Sequence, residues 1–205
     1  MNDSDFLIKT FVKRDNDQEK VDLSPENLTK LMKVKEPTQK FEFPVTGDLG
    51  LSKDQLKSIA VYWENIPFKE AFISIYLSKV FAMREARRPF MVPADIPEHR
   101  KLEDLGIFKR HIFLQTLSYD ALVDNIDSEE SVKRLAQELG LRHLKFRRTV
   151  VFEPWLWTHV IDCFMQTLDD RRDCPDEVKA CWKRMLSWFY TQIDRTFKMR
   201  ASDML

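Results

Sequence analysis

The chain has 205 residues, enough for one domain of ordinary size with an extension, and such a domain buries a substantial core without disulfide bonds. Its 33 basic and 33 acidic residues cancel, so no overall electrostatic field attracts the chain to nucleic acid or to anionic lipid. With 43% hydrophobic and 12% aromatic residues but only four glycines, the composition disfavours turn-rich β architecture and predicts an all-α fold.

The cysteines indicate the compartment. They are odd in number and lack CxxC spacing, which predicts free thiols in a reducing compartment and therefore a cytoplasmic location. The three are Cys163, Cys174 and Cys181. The amino terminus lacks an apolar core of secretory length, and the most apolar long run, 149–168, contains charged residues and a proline. No targeting or transmembrane segment is therefore expected.

Composition divides the chain into three parts. Residues 1–50 are charged and are interrupted by prolines and glycines, which predicts a largely flexible extension. Helical periodicity begins after this point, where Ser52 and Gln55 form a capping-box signature. We therefore predict one helical domain at 51–198 and a short tail at 199–205.

A long second helix is predicted after Pro67, with the sequence FKEAFISIYLSKVFAMREARR. Proline residues at 93 and 97 then indicate a loop that crosses to the next helix. The inward-facing residues predicted for the second helix are Phe68, Phe72, Ile75, Tyr76, Val80 and Met83 or residues near it.

Two histidines lie on successive helices that follow this loop. The first helix is predicted to start near Leu102, and its otherwise apolar face also carries His111 and Gln115. Asp127–Glu130 ends that helix and begins the next, which places His143 on its inner face. Two imidazoles are therefore expected to point inward from neighbouring helices.

The last two predicted helices each begin with a proline, at Pro154 and Pro175. Their apolar residues recur at helical spacing, so both helices are expected to bury one face in the core. The predicted inner faces are Leu156, Val160, Cys163, Phe164 and Leu168 in one helix, and Val178, Cys181, Trp182, Met185, Phe189 and Ile193 in the other.

The segment Leu51–Phe197 resembles a globin, and within that family it is most similar to the neuroglobin and cytoglobin branch, of the nematode neuronal type. Trp63 stands in the first helix as the globin tryptophan does, and Phe90 follows the second long helix. His111 comes 21 positions after Phe90 (111 − 90) and 32 before His143 (143 − 111). These spacings match the phenylalanine and the distal and proximal histidines of that branch.

The resemblance implies a globin fold of six to eight helices around haem b, which is iron protoporphyrin IX. It implies that His143 is the proximal iron ligand, since a neutral imidazole supplies the axial nitrogen that haem iron needs. His111 has two roles open to it by the same resemblance. It either hydrogen-bonds a bound gas or itself ligates the iron when no gas is present.

Supporting roles follow from the same resemblance. Phe90 is expected to stack on the porphyrin, with Tyr76 or Leu77 near the distal side. Arg147 and Arg148 follow the proximal histidine and are expected to pair with the haem propionates, because guanidinium matches a carboxylate with two hydrogen bonds. A solvated run of positive charge is the alternative for this basic segment.

Gln115 replaces the aliphatic residue that the resemblance leads one to expect one turn after His111. If its amide faces the haem, it makes the pocket polar, which favours a held sixth ligand over protected oxygen storage. If it turns away, it bonds a backbone group instead.

The function expected from the resemblance is a haem globin with two histidine ligands that senses oxygen, nitric oxide or redox state, or transfers single electrons. Its partners would be haem, diatomic gases including carbon monoxide, and a redox or signalling protein, but not nucleic acid. Two alternatives stay open: a haem enzyme, such as a nitrite reductase or nitric oxide dioxygenase, and a globin-like interaction module without haem. The sequence shows no Ser-His-Asp arrangement, phosphate-binding glycine loop or paired-carboxylate motif.

Overall fold

Helices form the whole regular structure of residues 49–96, 101–144 and 153–202, which are the residues described in a computed structural model of the chain. No strand occurs within these ranges, so the prediction of an all-α fold is confirmed. The helices are α1 (Lys53–Glu64), α2 (Lys69–Ala82), α3 (Arg84–Arg87), α4 (Gly106–Asp124), α5 (Glu129–Leu144), α6 (Pro154–Arg171) and α7 (Asp176–Ser202). Short 3-10 turns occupy Arg88–Phe90 and Leu102–Asp104.

Several predictions fall outside the described residues. Most of the predicted extension at 1–50 lies there, and so do Arg147 and Arg148. The structure begins at Leu49, which is buried, and its carbonyl oxygen accepts a hydrogen bond from Arg184 Nε at 2.8 Å. At the other end, α7 continues to Ser202, four residues past the predicted domain boundary at 198 (202 − 198).

Local sequence signals set the helix starts. Ser52 Oγ accepts a hydrogen bond from the Gln55 amide at 3.3 Å, and Gln55 Oε1 accepts one from the Ser52 amide at 2.9 Å. The predicted capping box is therefore confirmed. Ser128 caps α5 by accepting from the Ser131 amide, and Pro154 is the first residue of α6, where its missing N–H costs nothing.

The prediction of which residues α2 buries is only partly correct. Phe68 precedes the helix in a left-handed conformation, with φ of 56°, so it does not follow the helical period. The helix ends at Ala82, which leaves Met83 in the break before α3. The buried face is instead centred nearer Ile73, which turns Ile75 outward. Phe68 and Ile75, which were predicted to face inward, are 84% and 53% exposed. At the end of the predicted face, Met83 is 39% exposed, whereas nearby Phe81 is buried.

The core forms where α2 packs on α4 and α6 while α7 packs on α1, α5 and α6. Aromatic rings fill its centre: Tyr119 stacks on Phe164 at 5.0 Å between centroids and lies 5.5 Å from Trp63. The two histidine-bearing helices, α4 and α5, are consecutive in the chain but pack mainly on other helices: α4 packs on α2, and α5 packs on α7. Within the described chain, no helix is both long enough and apolar enough to cross a membrane.

Candidate functional site

A cavity of about 50 Å³ lies between α4 and α5 and is closed on its inner side by α6 and α7. Three residues predicted for the site, Phe90, Gln115 and His143, line it together. They come from different elements, so the fold rather than the sequence brings them to one place. The remaining lining residues are Ser118, Tyr119, Leu139, Trp157, Val160, Phe189, Tyr190 and Ile193.

His143 lies in the last turn of α5, where it is half-buried. Its Nδ1 is 2.7 Å from the carbonyl oxygen of Leu139, one turn earlier. A carbonyl only accepts, so Nδ1 donates, and in the neutral ring Nε2 then carries the lone pair. A metal-binding imidazole needs this arrangement, in which a backbone acceptor fixes the tautomer and the ring orientation.

The close approach of α5 to α7 determines how near His143 lies to the cavity. A β-carbon placed on Gly140 would lie 2.9 Å from the carbonyl oxygen of Ile193 and 2.9 Å from Thr196 Cβ. Only glycine allows the two helix backbones to come so near. Because His143 follows Gly140 by three residues, the contact holds His143 against the cavity.

His111 lies on α4 beside the cavity and is not one of its lining residues. Its Nε2 donates a hydrogen bond of 2.7 Å to the carbonyl oxygen of Phe90. The ring sits between two phenylalanines, with centroids 5.3 Å from Phe90 and 6.1 Å from Phe81. The second predicted iron ligand is therefore held by a backbone acceptor in this structure.

Burial lowers the pKa of His111, because a charged imidazole is poorly solvated there. The hydrogen bond to Phe90 opposes this shift, while the nearby charges of His143 and Arg110 add to it. At neutral pH the His111 ring is therefore expected to be uncharged, which is the form that binds a metal.

The α4 wall of the cavity carries polar residues. Gln115 stands one turn after His111 and lines the space, followed by Ser118 and Tyr119. The Ser118 hydroxyl donates to the Leu114 carbonyl oxygen at 2.8 Å, so it is satisfied within the helix. Gln115 is half-buried and lines the same space as His143.

Tyr76 and Leu77 are fully buried on α2 and do not line the cavity. Tyr76 packs edge-on against Tyr119 and Phe164, with centroids 6.3 Å and 5.6 Å away. The sequence-based interpretation placed one of them near the distal side of the site, whereas the structure places both in the core behind it.

Sequence reasoning missed the far wall of the cavity. Trp157 on α6 and Tyr190 on α7 line it, stacked at 5.3 Å, and the indole N–H of Trp157 donates to buried Asp194 at 3.2 Å. Both aromatics follow the helical period of their own helix, as many core residues do. No signal in the sequence marks them as bordering a space.

Comparison with known proteins gives no assignment. The sequence matches no family model and no curated protein. The chemistry of the site therefore has to be argued from its own residues.

The described side chains do not by themselves form a site for a bare metal ion, and the cavity as it stands is too small for haem. Within the described ranges, no group of three or more His, Cys, Asp or Glu side chains is placed to hold a metal. An ion on His143 would need its other ligands from a prosthetic group, and the aromatic and aliphatic walls suit a flat apolar ring. Cofactor pockets usually enclose about 300–1,000 Å³, so α4 and α5 would have to separate for a ring of that size.

Proposed function

We propose that this chain is a haem-binding protein with a globin fold that senses diatomic gas or redox state, or transfers single electrons. The observation that supports the proposal most is the hydrogen bond from His143 Nδ1 to the Leu139 carbonyl oxygen at the wall of the cavity. It orients an imidazole as metal-binding histidines are oriented. Bound haem would supply an iron that changes oxidation state by one electron and binds small gases.

His143 would hold the iron from the α5 side, and His111 would face it from α4. To do so, His111 Nε2 has to leave the Phe90 carbonyl oxygen, which it contacts at 2.7 Å. Ligation of the iron through Nε2 would also require the proton on that nitrogen to move to Nδ1. The Phe90 carbonyl oxygen therefore competes with the iron for His111, and this competition would help a gas to replace the histidine. A replaceable ligand of this kind suits a sensor better than an oxygen store.

Gln115 supports the same function. Gln115 lines the cavity, and an amide side chain at this wall would offer both a donor and an acceptor to anything bound beside His143. Such a polar wall would stabilise a bound water or gas by hydrogen bonding. We also propose a cytoplasmic location, supported by three cysteines that are all free and buried.

The first experiment compares haem retention in the purified full chain. We expect the wild-type chain to take up haem with a sharp Soret band, and we expect His143→Ala to lose at least about tenfold in haem affinity. His159→Ala is the matched control, because His159 also bonds a backbone carbonyl, that of Val80, at 3.0 Å. Similar losses in both variants would mean that His143 is not the iron ligand.

The second experiment tests the role of His111. In the gas-free ferrous form, two imidazole ligands give narrow low-spin visible bands, and His111→Ala should convert them to a broad high-spin spectrum. A high-spin spectrum in the wild-type chain would contradict ligation by His111 while leaving His143 in place. Addition of carbon monoxide should then give the same spectrum in both proteins.

A second candidate function is an interaction module that binds no haem, and the size of the cavity favours it. About 50 Å³ holds only one or two water molecules. Under this alternative, His143 and His111 are core histidines satisfied by backbone carbonyls. Failure of the full chain to show any Soret band after incubation with haem would leave this candidate standing and would exclude the first.

A further inference from the structure

The outer face of α4 carries a row of apolar side chains, which we call the α4 stripe. Its members lie within an arc of about 100° of the helix circumference, and they are Phe113, Leu114, Leu117 and Ala121. Phe113 is 51% exposed, and the other three are partly exposed. The opposite side of the helix is buried in the core, for example at Tyr119. A helix that is apolar on its outer face as well as its inner face presents a surface suited to a protein partner.

The charged residues of this outer face stand at the two ends of the α4 stripe. Arg110 and Asp124 are both exposed, and each is seven residues from Leu117 (117 − 110 and 124 − 117), close to two full helical turns. The one Asp, Glu, Lys or Arg residue between them is Asp120, whose carboxylate accepts a hydrogen bond from the buried indole of Trp63 at 2.8 Å. The α4 stripe therefore has an apolar centre, a positive end and a negative end.

This pattern is complementary to itself when it is reversed. Two α4 helices that pack antiparallel about a two-fold axis at Leu117 bring Arg110 of each copy beside Asp124 of the other. The same axis places Leu117 against its own symmetry mate and Leu114 against the small side chain of Ala121. A parallel arrangement would instead place like charges side by side, which is unfavourable. The positions of the charges therefore favour a second copy of this chain over an unrelated apolar surface.

The remaining charge of the chain does not oppose such a contact. The 33 basic and 33 acidic residues cancel, so two copies do not repel each other through their net charge. An apolar outer face is also not a general feature of these helices, since the exposed positions of α5 include Glu130, Arg134 and Glu138. A generally apolar surface therefore does not explain the α4 stripe.

We propose that two copies of this chain associate through their α4 stripes, antiparallel about a two-fold axis at Leu117. One helix face per copy is a small interface, so we expect a reversible dimer with a dissociation constant on the order of 10 μM. By helical period, His111 and Gln115 project from the other side of α4. The contact is therefore separate from the candidate site, and the dimer forms whether or not the chain binds haem.

The test is analytical ultracentrifugation of the purified full chain over a concentration series that spans the expected dissociation constant. Phe113→Glu should raise that constant at least about tenfold, because it places a carboxylate among the apolar side chains of the interface. Ile75→Glu is the matched control: Ile75 lies on α2, is 53% exposed, and undergoes the same change of charge. It should leave the dissociation constant unchanged, and equal weakening by the two substitutions would overturn the proposal.

A charge exchange tests the orientation of the two helices. Arg110→Asp and Asp124→Arg should each weaken the dimer, because each places two like charges together at both ends of the interface. The double variant restores opposite charges, and its dissociation constant should return to within about threefold of the wild-type value. A double variant that dimerises no more tightly than the single ones would overturn the antiparallel arrangement. A wild-type chain that stays monomeric throughout the series would overturn the dimer itself.

Discussion

Gly140 of α5 lies against the carbonyl oxygen of Ile193 in α7, so closely that an added β-carbon would come within 2.9 Å of that oxygen. The obstacle is backbone, which cannot rotate away as a flexible side chain does. His143 lies three residues further along α5. The glycine therefore fixes where the candidate iron ligand stands relative to α7.

Gly140→Ala should destabilise the chain despite the better helix propensity of alanine. The propensity gain is about 0.5–1 kcal/mol, whereas forcing extra volume into a packed contact costs about 1–3 kcal/mol. If the chain binds haem as proposed, the displaced α5 should also bind it more weakly. Denaturant unfolding and haem titration measure the two effects.

Gly106→Ala is the control for this prediction. Gly106 is the first residue of α4, and an added β-carbon there would meet nothing within 4 Å. Its substitution should leave stability unchanged or raise it slightly. Equal effects at the two glycines would mean that the contact with Ile193 does not position α5.

Three helix starts could be predicted because their signals are local, whereas α4 begins at Gly106 and not near Leu102 as predicted. Ser52, Ser128 and Pro154 act within one turn of their own positions, so the sequence contains the whole interaction. The inner face of α2 could not be predicted equally well. It depends on the left-handed turn at Phe68, and an aromatic residue gives no warning of a positive φ.

In the candidate site, too, local contacts could be predicted from the sequence and long-range contacts could not. The bond from His143 to Leu139 joins residues four apart, so helical periodicity indicates it. The acceptor for His111 is a backbone carbonyl 21 residues away, and backbone acceptors leave no trace in residue types. Trp157 and Tyr190 complete the cavity from later helices, and only tertiary packing decides which core aromatics border a space.

Phe68→Gly should stabilise the chain. Phe68 has φ of 56° and is 84% exposed, so its ring contributes little burial while its β-carbon disfavours the conformation. The left-handed region costs a non-glycine residue roughly 1–2 kcal/mol, part of which is offset by the greater freedom of glycine in the unfolded chain. We expect a net gain of up to about 1 kcal/mol in the free energy of unfolding.

Phe68→Ala serves as its control, because alanine removes the ring but keeps the β-carbon. It should change stability much less than Phe68→Gly does. If both substitutions have the same effect, the ring rather than the backbone conformation determines the energy at this position.

Asp120→Ala should destabilise the core next to α1. Asp120 Oδ1 accepts a hydrogen bond of 2.8 Å from the indole N–H of Trp63, which is fully buried, and one of 3.1 Å from Lys69. Alanine would leave the indole N–H without its acceptor, at a cost of about 1–3 kcal/mol. Denaturant unfolding monitored by tryptophan fluorescence provides the measurement.

Asp120→Asn separates the hydrogen bond from the charge. Its amide oxygen can still accept from Trp63, and only the partly exposed pair with Lys69 loses its charge, which contributes about 0–1 kcal/mol. A loss in Asp120→Asn as large as in Asp120→Ala would mean that the ion pair rather than the indole bond stabilises this corner.

The stability of the chain should fall in weak acid partly because of His111. Burial holds the folded-state pKa of His111 below its unfolded value of about 6.5. Between the two pKa values the unfolded chain binds more protons at this position, so the free energy of unfolding rises with pH. The contribution is fully present above about pH 6.5 and is lost as the pH falls through the folded-state pKa.

His111→Gln keeps a donor for the Phe90 carbonyl oxygen but does not titrate, so its unfolding midpoint should depend less on pH between about 8 and 5. The wild-type and variant curves, measured in denaturant at each pH, should converge or cross toward acid, and parallel curves would contradict the role given to His111. The nearby charges of His143 and Arg110 are present in both proteins, so the difference between the curves isolates the His111 ring.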